Sequence, residues 1–203
     1  MSNIRGYKIG SPGQVGDGAP VPVHADAYGN LYQLSGILGF GVTGRVFSMN
    51  AGVLTTPLAT AATTAIVNTT PHAWVRVPDG TAIVPIAANI VVESQGITTQ
   101  GEISVLIAQN DIGNGTSTAA TAGPVSQNTA VPLSSNCTAR NLATGAATAP
   151  TNTLELKRFS FAASAVDQQF NWSVERDGLY LPLLRGPATF AIYIGGNAVN
   201  YYA

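Results

Sequence analysis

The residues able to do chemistry are few and scattered along the chain. His24 stands two positions before Asp26, a spacing at which a carboxylate can orient an imidazole, but the sequence proposes no nearby nucleophile to use such a base. His72 follows Pro71 and reads more simply as a residue at a strand start. Cys137 is the only cysteine, so no internal disulfide is possible, and its spacing from the two histidines proposes no metal site. Glu93, Glu102, Glu155, Glu175 and Asp177 offer carboxylates for a glycosidase-type pair, yet chain spacing says nothing about the separation such a pair requires. The glycine-rich stretch 39–44 lacks a following Lys-Ser/Thr and is not framed by a strand and a helix, so it does not read as a phosphate cradle. Neither HExxH nor GxSxG occurs. The expectation is a non-enzyme with no catalytic, cofactor-binding or metal-ligating residues.

Composition points away from several partner classes. Of 203 residues only 9% are charged and 45% are hydrophobic, against about 25% charged in an ordinary soluble domain. The exterior must therefore be built from Thr, Ser, Asn, Gln, Gly and Ala. A neutral exterior gives little repulsion between copies and suits a subunit packed against neighbours. A net charge of -1 provides no basic footprint for nucleic acid. No long apolar run predicts a membrane span, and no cationic start with an apolar core predicts a standard secretory leader. Matches to the glycosylation pattern at Asn68, Asn114, Asn136 and Asn171 are expected by chance in a chain so rich in Asn and Thr.

The elements that would carry these residues read as β throughout. Residues 1–45 are broken repeatedly by Gly and Pro and predict an extended arm, with one small hairpin in which 22–25 and 31–34 flank a turn at Tyr28, Gly29 and Asn30. Residues 46–203 predict a β-sandwich domain. Its organising stretch is 73–94, two apolar runs around Pro78-Asp79-Gly80, which predicts a β-hairpin; Pro85 makes the second run either two strand segments or one bulged strand at a sheet margin. A strand pair is expected around Asn50-Ala51-Gly52, and the strand at 102–109 is expected to pair with 86–94. Residues 110–130 read as a polar loop and 130–138 as a strand. In 154–161, Leu154, Leu156 and Arg158 alternate against Glu155 and Lys157; Phe170, Trp172 and Val174 share a face, as do Phe190, Ile192 and Ile194. Tyr193 then falls on the opposite face, where it reads as an interface aromatic. Trp74, Trp172, Tyr180, Tyr193, Tyr201 and Tyr202 are the aromatics able to stack sugars, with core packing the simpler role for Trp172 and Tyr193. Strands joined by turns, without a helical period of useful length, predict an all-β antiparallel sandwich with jelly-roll connections.

The arm at 12–36, the stretch 75–94 and the closing segment 185–196 together resemble small virion proteins of tailed bacteriophages, especially the β-sandwich proteins that decorate or cement a capsid. The resemblance implies a non-catalytic structural role in the virion. It also implies binding to the capsid shell protein and to copies of itself, with a trimer preferred, and no nucleic acid, membrane or cofactor. A capsid shell subunit, a tail subunit and a carbohydrate-binding module are the competing readings.

Overall fold

The computed structural model describes residues 6–7, 20–21, 40, 44–52, 56–59, 65–93, 100–119, 122–130, 132–141, 148–162, 166–177, 182–196 and 200–203. The chain divides into two compact units, Met1–Thr43 and Gly44–Ala203. In the first, β1 (Gly6–Tyr7) pairs antiparallel with β2 (Pro20–Val21), Gly6 opposite Val21. The hairpin expected over 22–34 lies outside the described residues, as does most of the expected arm.

Among its described residues the second unit is all-β apart from one helical turn, Val174–Asp177. Its strands are β3 (Phe47–Asn50), β4 (Leu58–Ala59), β5 (Ala73–Val77), β6 (Ala82–Ile83), β7 (Ala87–Val92), β8 (Gly101–Ala108), β9 (Thr118–Ala119), β10 (Ala122–Ser126), β11 (Thr138–Asn141), β12 (Leu154–Phe161), β13 (Gln168–Ser173), β14 (Leu184–Arg185), β15 (Ala188–Gly195) and β16 (Asn200–Tyr202). All their ladders are antiparallel. One sheet has six strands in the order β12-β8-β15-β5-β11-β9, another has four in the order β13-β7-β16-β4, and β10-β3 and β14-β6 form two-stranded ribbons.

The hairpin predicted over 73–94 does not form. β5 is interior to the six-stranded sheet between β15 and β11, whereas β7 lies in the four-stranded sheet between β13 and β16. The turn itself is real: Gly80 has φ +75°, and the Thr81 N–H donates to the Pro78 carbonyl at 3.2 Å. It turns the chain out of one sheet, through the short strand β6, toward the other. Pro85 separates β6 from β7, as the missing donor requires. The reason lies in burial. Ala73, Trp74 and Val77 are all buried, so β5 needs covering on both faces and both edges; β7 alternates exposed and buried and needs covering on one face only.

Other pairings expected between chain neighbours are likewise replaced by distant ones. β8 pairs with β12 and β15, not with 86–94. β3 pairs with β10, and Val53 and Leu54, its expected partners, lie outside the described residues. The strand expected at 130–138 begins only at Thr138, and the loop expected over 110–130 contains β9 and β10.

The two large sheets share one core. Ile103, Val105, Ile192, Ile194 and Phe161 come from the six-stranded sheet, and Ile90, Val92, Trp172 and Tyr201 from the four-stranded one. Trp172 packs on Phe190 with ring centroids 5.9 Å apart, and Phe159 on Phe170 at 5.5 Å. Each fully buried side chain of this size contributes about 1.5–3 kcal/mol. The predicted faces of β8, β13 and β15 are the ones buried here. In β12 a bulge between Glu155 and Lys157 breaks the expected alternation, so Leu156 and then Phe159 and Phe161 all reach the core, while Arg158 stands opposite Ser104.

A second cluster, Trp74, Ile112, Ala191 and Tyr193, lies on the other side of the six-stranded sheet. Two segments cover it. Residues 109–117 are held there by the Trp74 indole N–H donating to the Gly113 carbonyl at 3.2 Å and by the buried Thr189 hydroxyl donating to the Asn110 carbonyl at 2.9 Å. Residues 65–68 approach so closely that a Cβ on Gly195 would lie 2.4 Å from the Ile66 nitrogen. The Tyr193 hydroxyl donates to the Asn68 carbonyl at 3.2 Å, and Tyr193 is 1% exposed. It is therefore on the predicted face but is a core residue, not an interface aromatic.

Candidate functional site

The chemistry-bearing residues are placed apart. His24 and Asp26 lie outside the described residues. His72 is 2% exposed just before β5; its Nδ1 accepts the Ile194 N–H at 3.1 Å, and burial lowers its pKa to about 4. An imidazole so held is neutral, with its proton on Nε2, and serves as a strand-end acceptor. Cys137 is a free, half-buried thiol whose pKa is raised by burial, which disfavours the nucleophilic thiolate.

Of the five carboxylates considered for a glycosidase pair, the fold brings Glu102 and Glu155 together, but around a cation. Arg158 bridges them, donating to Glu102 at 2.6 Å and to both oxygens of Glu155, with the Ser104 hydroxyl donating to Glu155 at 2.9 Å. The Arg158 guanidinium holds the Glu155 carboxyl below its ordinary range, the reverse of what a general acid needs at neutral pH. Asp177 is engaged by Lys157 at 2.8 Å and accepts the Ser173 N–H; Glu175 is exposed on the helical turn. A shallow open pocket of about 270 Å³, lined by Gln100, Gly101, Glu102, Ser160 and Gly195, brings Glu102 to its wall with no second ionisable group among the described residues. Among the described residues no three His, Cys, Asp or Glu side chains are grouped to hold a metal ion, and no helix is long and apolar enough to cross a membrane.

One polar constellation was not foreseen from the sequence. Arg76, on the outer face of β5, donates through Nε to Asp111 at 2.6 Å and through its two terminal nitrogens to Asp111 and Asn114. Asp111 also accepts the Gly113 N–H at 2.8 Å and is held below the usual carboxylate range, mainly by the Arg76 hydrogen bonds. This clamp fastens the 109–117 segment over Trp74. A single charge inside an apolar strand was its only trace in the sequence.

Among the described residues the candidate aromatics do not form a platform: Trp74, Trp172, Tyr193 and Tyr201 are all at most 1% exposed and Tyr202 is half-buried, while Tyr180 lies outside the described residues. Besides exposed charges such as Arg158, Glu175 and Arg185, the surface carries apolar and neutral side chains. Val84, Leu154 and Leu183 are 36%, 56% and 69% exposed. They sit at one end of the body, where β5 finishes, β15 and β12 begin, and the β6–β14 ribbon packs through Val77, Leu184 and Ala188. The outward face of the four-stranded sheet carries Ala87, Asn89, Gln169 and Asn171, all exposed and uncharged. No family model matches the chain, and no curated protein or solved structure matches it.

Proposed function

We propose that the chain is a non-catalytic structural subunit of a tailed-phage virion, which binds the capsid shell protein and copies of itself and stabilises or decorates the shell. The observation that carries this reading is the apolar end of the body. Val84 and Leu183, 36% and 69% exposed, flank the Ile83–Leu184 pair of the β6–β14 ribbon, and Leu154, 56% exposed, stands opposite Ile107. A side chain such as Leu183 gains stabilisation when a neighbour covers it, and grouped exposed apolar residues mark contact surfaces. The low charge of the chain suits the same use.

A jelly-roll body is the architecture this reading carries. The nested antiparallel pairs β5–β15, β7–β13 and β8–β12 join successive strands of the first half to strands of the second half in reverse order. That is the pattern of one long hairpin rolled over so that its windings alternate between two sheets. Residues 1–45 serve as an anchoring arm, on a Gly- and Pro-broken composition with little apolar surface of its own to bury, and the preferred assembly is a trimer, on the resemblance to capsid decoration proteins.

Electron microscopy of the native particle tests the proposal. The expected density places the body on the shell with the Leu183 end against a neighbour; particles that lack the chain overturn it. Protease should cut between residues 11 and 19 in the free protein and not in the particle. A capsid shell or tail position is distinguished by the same density, and a glycan array tests the carbohydrate-binding alternative, which loses its aromatic platform to the core.

A further inference from the structure

The four outermost strands of the two large sheets are managed differently. β4 and β9 are two residues long, and β12 is kinked by its bulge and carries Glu155, Lys157 and Arg158. Short length, bulges and charge are the usual means of keeping an edge from pairing with another chain. β13 has none of them. Its six residues, Gln168–Ser173, are uncharged, and they run in unbroken register with β7 from Gln168 opposite Val92 to Ser173 opposite Ala87.

The direction of its backbone groups follows from one contact. The Ser173 N–H donates to Asp177 Oδ2 at 3.3 Å, while the next N–H, of Val174, donates to the Ile86 carbonyl at 3.0 Å on the β7 side. Ser173 therefore points away from β7. Because strand residues alternate, the N–H and C=O of Gln169 and Asn171 also point away from β7, toward the side on which no other described strand pairs with β13. Their side chains are exposed amides on the outward face, each with donor and acceptor, and Phe170 between them turns inward to the core.

We infer that β13 is a docking edge for a second copy of this chain, paired antiparallel about a two-fold axis at Phe170. In that register the backbone of Gln169 meets that of the partner's Asn171, and Asn171 meets the partner's Gln169, closing about four hydrogen bonds. An extended backbone satisfies these groups together in one ladder. Within Gln168–Ser173 no charge opposes a second β13, and its amides complement those facing them. The Asp177 cap on Ser173 limits the paired stretch, so the contact is weak in dilute solution and effective where copies are concentrated. Being isologous, it cannot close a three-fold ring; it joins one assembly to the next. The inference rests on this edge and not on the virion reading, which particle density tests separately.

Cross-linking tests the register. In a Cys137→Ser background, the double variant Gln169→Cys/Asn171→Cys should give a disulfide-linked dimer on oxidation at high protein concentration, and neither single variant should match it. Independently, Asn171→Lys in the otherwise unchanged chain adds a charge at an exposed position. It should weaken two-fold association at least tenfold in sedimentation while leaving the circular dichroism spectrum unchanged. Absence of a covalent dimer, equal cross-linking by the single variants, or association indifferent to Asn171→Lys would each overturn the proposal.

Discussion

Tyr201 donates its hydroxyl to the backbone carbonyl of His72 at 2.7 Å, and its ring meets the imidazole edge-on, centroids 5.6 Å apart at 80°. Because His72 Nδ1 simultaneously accepts the Ile194 N–H, this one residue ties the start of β5 to β15 in its own sheet and to β16 in the other. The arrangement works only for a neutral imidazole. Protonation of Nδ1 would set two donors against each other in a site closed to water.

Acid should therefore weaken the fold through His72. Its folded pKa of about 4 lies below the ordinary 6.5, so the stability it contributes is present above pH 6.5 and is lost as pH falls toward 4. A shift of this size corresponds to roughly 3 kcal/mol. Urea unfolding at pH 7 and pH 4.5 should show a smaller drop for His72→Gln, which keeps an acceptor without a proton to gain. Equal drops in the two proteins would place the acid sensitivity elsewhere.

The two faces of β15 should respond according to what covers them. Ile192→Ala, in the shared core at 5% exposure, is expected to cost about 2–5 kcal/mol. Tyr193→Phe removes only the hydrogen bond to Asn68 and should cost about 1 kcal/mol. Thermal unfolding checks both, and a Tyr193→Phe variant of unchanged stability that failed to assemble would restore an interface role to the hydroxyl.

Breaking the Arg76 clamp should loosen the 109–117 segment without unfolding the sheet. The side chains of Arg76 and Asp111 are 25% and 36% exposed, so solvent screens the pair and Arg76→Ala is expected to cost only about 1 kcal/mol. The sharper readout is Trp74 emission, which should shift to the red and become accessible to iodide. A protected, unshifted Trp74 would mean that Thr189 and the indole hydrogen bond hold the segment alone.

Glycine is required where β8 begins beside the end of β15. A Cβ on Gly101 would lie 2.1 Å from the Phe161 ring and 2.4 Å from the Gly195 carbonyl oxygen. Gly101→Ala should therefore destabilise by up to about 3 kcal/mol, by displacing Phe161 from the core. Chemical denaturation of this single variant measures it, and a cost below 0.5 kcal/mol, the scale of an ordinary surface change, would show that the strand ends can shift apart freely.

The alternation of side chains along β8, β13 and β15 determined from sequence alone which face each would bury, because in an extended chain successive side chains point to opposite sides. The breaks at Pro85 and Gly80 were equally legible, being properties of single residues. Tertiary structure alone decided which strand lies beside which. β5 and β7 are chain neighbours with a good turn between them, yet β5 is completed by β15 and β11 and β7 by β13 and β16. A turn fixes local direction, while a pairing partner is chosen by burial summed over strands far apart in the chain. The same holds for the polar groups. Arg76 meets Asp111 across 35 positions and Arg158 meets Glu102 across 56, separations over which spacing carries no information. Tyr193 shows the limit most plainly: its period placed it on the outer face, but only the segments at 65–68 and 109–117, folded over that face, decided that the outer face of β15 is also core.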